Sequence, residues 1–172
     1  MRRLVATRAP VNDPWTHARR VERQLGAWAA LSLVAAGVLT WAALAWPEPL
    51  SVTLGAVALQ FAVWGAIDGA IAAFGARDRR RRLARGEAAD ATATAAFGVR
   101  LRRLLRLNAG LDVGYLAVGL ALVLLWRTPA GLGHGLGVLV QGGFLLLFDA
   151  WHGWRPVGYS GGPGRGPAVT RR

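Results

Sequence analysis

The chain has 172 residues, 53% of them hydrophobic, a mean hydropathy of +0.32 and a formal net charge of +12. High apolar content beside high charge means that the two are segregated along the chain, and the length suits one domain or a compact set of membrane spans. There is no cysteine, which excludes disulfides, zinc–thiolate centres and thiol catalysis. All 21 basic residues are arginine, and with the abundant Ala and Gly this suggests GC-rich coding and a bacterial source.

Residues 1–25 are polar and basic. Asn12-Asp13-Pro14 is a helix start, a capping side chain followed by a proline that fits the first turn. Trp15, Ala18, Val21 and Leu25 then form an amphipathic stripe with Arg19, Arg20 and Arg23 off it, which predicts a short interfacial helix in a cytoplasmic segment. Arg2-Arg3 is not read as an export signal, because no apolar stretch follows promptly. Four hydrophobic spans follow, at about 26–46, 50–76, 107–126 and 132–154. Ala43-Leu44-Ala45 resembles a signal-peptidase site, but the apolar run before it is too long, so the first span is expected to stay uncleaved. Trp46 and Pro47-Glu48-Pro49 mark the far interface, and Arg127-Thr128-Pro129 makes the second tight turn.

Between the second and third spans, residues 77–106 form a basic connector. Arg77, Arg79, Arg80, Arg81 and Arg82 close the second span, Asp90 is a candidate helix cap, and Phe97, Leu101, Leu104 and Leu105 oppose Arg100, Arg102, Arg103 and Arg106 on a basic amphipathic helix. These arginines are expected to contact anionic lipid headgroups. Nucleic acid is not expected as a partner, since the run abuts a span and no recognition motif supports it. The tail 155–172 is Gly-, Pro- and Arg-rich and is expected to be disordered. Six arginines lie in residues 1–25, ten in 77–106, four from Arg155 onward and one in the two tight turns. The positive-inside rule then predicts both termini in the cytoplasm, in the inner membrane of a bacterial cell.

The expected fold is therefore all-α, a polytopic membrane protein whose bundle, residues 26–154, is built as two similar helical hairpins. Gln60 and Gln141 each precede an aspartate, Asp68 and Asp149, by eight residues, and each follows a tryptophan that ends the previous span. Asn108 and Asp112 open the third span. A carboxylate within a span is expensive and needs a partner or a wet pocket. A rise of 1.5 Å per residue puts the three aspartates at similar depth, so Gln60, Asp68, Asn108, Asp112, Gln141 and Asp149 are predicted to form one intramembrane polar cluster. Gly65/Gly69, Gly110/Gly114 and Gly133/Gly137 supply small-xxx-small contact faces around it.

Two functions compete for that cluster. As a structural or assembly device, the amides hydrogen-bond across helices and the aspartates pair with Arg103, Arg106 or Arg155 or stay protonated, Asp112 being expected to pair with Arg106 or Arg103, and the protein partner is a second copy or another membrane protein. As a binding site, the carboxyls take a proton, a cation or a cationic substrate in a small oligomeric transporter or channel. No catalytic motif is found, the Gly-x-Gly-Asp signature of intramembrane aspartyl proteases is missing, and His134 and His152 lie at opposite ends of one span, so no enzyme activity, cofactor or metal is expected.

The segment Leu107–Tyr115 (LNAGLDVGY), the glycines of Gly133-His-Gly-Leu-Gly137, and Gln141-Gly-Gly-Phe-Leu-Leu-Leu-Phe-Asp149 together resemble an uncharacterised bacterial family of small four-span membrane proteins. Gln60 to Asp68, with Trp64-Gly65 between, fits the first half of the same pattern, and the resemblance covers about residues 26–153. It implies a membrane location and the same bundle. It brings no activity and no catalytic residue.

Overall fold

Three of the four helices begin at a side-chain cap. The computed structural model describes residues 13–155, comprising four α-helices: α1 (Pro14–Ala45), α2 (Leu50–Ala84), α3 (Ala91–Leu125) and α4 (Pro129–Trp154). Asp13 caps α1 by accepting from the Thr16 N–H at 2.9 Å, and Asp90 caps α3 by accepting from the N–H groups of Thr92 and Ala93. Thr128 does the same for α4 through the Gly131 N–H, and Pro14 and Pro129 occupy the first turns, where a missing N–H costs nothing. The α2–α3 junction is short: Gly86 takes the left-handed conformation (φ 78°) that stops α2, and a 3₁₀ turn (Glu87–Ala89) leads to Asp90. Arg85 and Arg82 clamp Glu87, and the Arg85 hydrogen bond foremost holds its carboxyl below the usual range.

All four helices are long and apolar enough to cross a membrane. The predicted interfacial helix before the first span is not a separate element; it continues into the span as α1. The basic amphipathic stretch 97–106 likewise runs straight into the third span as α3, and Arg77–Arg82 form the last turns of α2 instead of a linker. Charge alone does not end a helix: arginine is a good helix former, and only Gly86 supplies a stop. The expectations for residues 1–12 and for the tail 156–172 lie outside the described residues.

The chain runs up and down as two hairpins, α1 with α2 and α3 with α4, and α4 also packs along α2. The sequence between Pro129 and Gly137 explains that third contact. A side chain at Gly133 would strike the Thr53 carbonyl and Ala56 of α2, and a Cβ at Gly137 would sit 2.5 Å from Gln60 Cβ. On the other side of the same helix, a Cβ at Gly135 would lie 2.6 Å from Val123 and 2.8 Å from the Gly119 carbonyl of α3. Alternate glycines therefore let α4 wedge between α2 and α3 at its N-terminal end. Gly65 and Gly69 face Ala29 and Ser32 of α1, as their spacing predicts. Gly110 and Gly114 do not form a contact face; nothing approaches either within 4 Å, because Leu105, Ala109 and Asp112 point inward and residues two positions from Asp112 point the opposite way.

Near the arginine-rich end, α1 and α3 meet: the Trp15 ring stacks on Phe97 at 4.2 Å and its N–H donates to Thr94. A core of Val21, Leu25, Ala72, Leu105, Leu145 and Phe148 fills the interior of this half. By contrast, α2 and α3 scarcely touch. Between them lies a cleft.

Candidate functional site: an acid-lined cavity between α2 and α3

The cleft encloses a cavity of about 410 Å³. Its α2 wall is the stripe Trp64, Ile67, Asp68, Ile71, Ala72 and Gly75, which recurs every three or four residues; the facing wall comes from the corresponding stripe of α3, with Leu145, Phe148 and Asp149 of α4 behind. The lips are apolar and open: Ile67 and Ile71 are 42% and 51% exposed, and Leu104 and Leu111 52% and 57%. One end of the cavity is crossed by the Trp64–Tyr115 pair, edge to face at 4.9 Å, and the other by the Arg82 guanidinium over the Phe97 ring at 5.9 Å.

Asp68, Asp112 and Asp149 all line this cavity, and all three are buried, with exposures of 2%, 4% and 5%. They are electrostatic neighbours: Asp112 acts on both Asp68 and Asp149, and Asn108 stands in the same wall. One oxygen of Asp68 and one of Asp112, each Oδ2, have no hydrogen-bond partner. Buried polar groups are nearly always satisfied, so two orphaned oxygens on side chains that line one cavity point to something the cavity receives.

The structure therefore brings together four of the six predicted polar residues: Asp68, Asn108, Asp112 and Asp149. It sets the glutamines apart. Gln141, fully buried, accepts from the Trp28 indole N–H at 2.8 Å and donates to Ser32 Oγ at 3.1 Å, tying α4 to α1. Gln60 reaches His134 Nδ1 at 3.0 Å, tying α2 to α4. Among the described residues no arginine forms an ion pair with Asp68, Asp112 or Asp149. The expected Asp112–Arg106 pair does not form: Arg106 Nε donates to the Gly153 carbonyl at 2.9 Å and its guanidinium lies over Trp154. The carbonyls that the end of α4 leaves without an intrahelical partner take the cation instead.

The predicted headgroup arginines divide in the same way. Arg77, Arg80, Arg81, Arg100 and Arg103 stand exposed, whereas Arg79 is paired with Glu22 at 2.9 Å, Arg82 with Asp78 at 2.7 Å and with Glu87 at 3.2 Å, and Arg106 with α4; Arg102 is partly buried. Missed by the sequence reading were Trp64 and Tyr115, whose helical offset of three to four residues from Asp68 and Asp112 could have placed them on the same faces. His152 Nε2 meets Gln24 Oε1 at 2.7 Å and its ring packs against His17 at 5.2 Å between centroids, while His152 Nδ1 and His17 Nε2 have no hydrogen-bond partner among the described residues.

A model for a family of unknown function, DUF6992, matches residues 24–150, three-quarters of the chain. The chain belongs to this family. The three buried aspartates and both aromatic closures of the cavity fall within the matched DUF6992 region, whereas Glu22 at its rim lies just outside. No curated protein and no solved structure shows a significant match.

Proposed function

We propose that this DUF6992 protein is a bacterial inner-membrane protein, with both termini cytoplasmic, that binds a proton or cation at Asp68, Asp112 and Asp149 and works as a small coupled transporter or channel. The observation that carries this reading is the pair of orphaned carboxyl oxygens in the cavity wall. If the aspartates served only to lock the bundle, their oxygens would be bonded as those of Gln141 are. Acids inside a membrane protein that face a cavity instead of a packed neighbour commonly mark an ion path. A purely structural or assembly role is the second reading, favoured by the glutamine bonds, which need no ligand to be complete.

The test is charge displacement in proteoliposomes after a rapid jump in proton, sodium or potassium concentration. The parent gives a transient current, and the Asp68→Asn and Asp112→Asn variants lose most of it while their thermal unfolding stays at or above that of the parent, since a neutral amide removes a buried charge. A parent that displaces no charge for any of these ions overturns the proposal and leaves the structural reading.

A further inference from the structure

The cavity has more apolar wall than a proton or an alkali ion requires. Below the acids it continues between Ile67, Ile71, Leu104 and Leu111 toward the arginine-rich end, about 20 Å along α2 from Asp68 to Arg82 at 1.5 Å per residue. Those lips face outward, on the side where a bilayer's hydrocarbon would lie, so the opening is lateral. At the acid end the Trp64 and Tyr115 rings meet edge to face, and the Phe148 ring lines the wall beside Asp149. Aromatic faces attract organic ammonium groups, which carry their charge over a greasy surface and shed water easily. Bare alkali ions are held by oxygen ligands, and most of this wall is apolar or aromatic.

We infer that the cavity is a binding site for an amphipathic organic monocation, which enters sideways between α2 and α3 from the bilayer and places its ammonium group against Asp68 and Asp112 beside Trp64 and Tyr115. The proposal rests on the cation-binding reading given above and names its ligand class. The charged groups at the far rim do not compete for the ammonium, because Glu22 is held by Arg79, and Asp78 by Arg82. Charge complementarity thus exists only at the deep end.

The experiment uses the full chain in lipid nanodiscs and benzyltrimethylammonium as the probe, with neopentylbenzene, its uncharged carbon analogue, as the control. Saturable binding of the ammonium is expected, with no saturable binding of the neutral analogue. Asp68→Asn should weaken it at least about tenfold and Trp64→Leu by several-fold, as for a desolvated cation–π contact, while Leu31→Ala on the far face of α1 changes nothing. Thermal unfolding of each variant shows that it has folded, and Asp112→Asn serves if Asp68→Asn does not. Equal binding of the neutral analogue, or binding that survives loss of either carboxyl, overturns the inference. If proteoliposomes displace charge with protons or alkali cations while benzyltrimethylammonium fails to bind, the ligand class is wrong and the carboxyl site stands; failure of both removes both.

Discussion

Gln141 and Asp112 are buried in the same bundle at similar exposure, yet only the first has its side-chain oxygen and its donor both engaged. That difference sets opposite outcomes for substitution. Gln141→Leu leaves the Trp28 N–H and the Ser32 hydroxyl without partners, and hydrogen bonds between membrane helices are worth about 0.6–2 kcal/mol each. The expected result is a lower unfolding temperature for Gln141→Leu and none for Asp112→Asn, read by thermal denaturation in one detergent at fixed lipid content. At this scale the sequence showed which residues are polar within apolar runs, because that is a property of position along one helix. It did not show partners. Arg106 lies six residues from Asp112 on α3, but the acceptor it uses belongs to Gly153, forty-seven residues away, and nothing local reports the end of another helix.

Among the helices, α4 is the one whose sequence departs furthest from an ordinary span, with a glycine at every second position from Gly131 to Gly137. Helical glycine costs about 1 kcal/mol relative to alanine, so a run of four is retained for contact. Gly137→Leu would drive a branched side chain into Gln60 and part α2 from α4. Its unfolding temperature should fall by several degrees in thermal denaturation. Gly110→Ala, with nothing within 4 Å, should match the parent or gain slightly in the same assay. The caps at Asp13 and Asp90 were legible because a cap is made by residues within one turn; Thr128 was read only as part of a turn, and Gly86 lay unmarked in the connector. The continuity of α2 through Arg77–Arg82 was obscured by reading the edge of the hydrophobic run as the edge of the helix; a bilayer limits where a span is apolar, and backbone hydrogen bonding limits where a helix ends.

For the molecule as a whole, the two hairpins put the N-termini of α1 and α3 at one end with the arginine-rich stretches, and the two tight turns at the other. Reporter fusions at Arg172 and within residues 127–131 are expected to signal opposite sides of the membrane, the first cytoplasmic. A periplasmic signal at Arg172 would reverse the whole orientation. Hairpin pairing followed from short turns, which force neighbours to pack; the cleft did not, because it depends on which helices fail to meet. That failure has a mechanical side. The glycine contacts hold α4 hard against both neighbours near the tight turns, and at the arginine-rich end α2 and α3 are tied by the six-residue junction from Arg85 to Asp90 and by the Arg82–Phe97 contact. Such an assembly works as a bow gripped at both tips. Its grips are the glycine wedge and the short junction, and the part left free to flex is the pair of lips that carry Ile71 and Leu104. Ile71 lies eleven residues beyond Gln60, about 16 Å from the wedge, so a bend of about 5° there moves the lip by about 1.4 Å without breaking a backbone hydrogen bond. Width at the mouth is thus set at the two grips, by the backbones that meet at Gly133 and Gly137 and by the short junction, far from any group that would touch a guest.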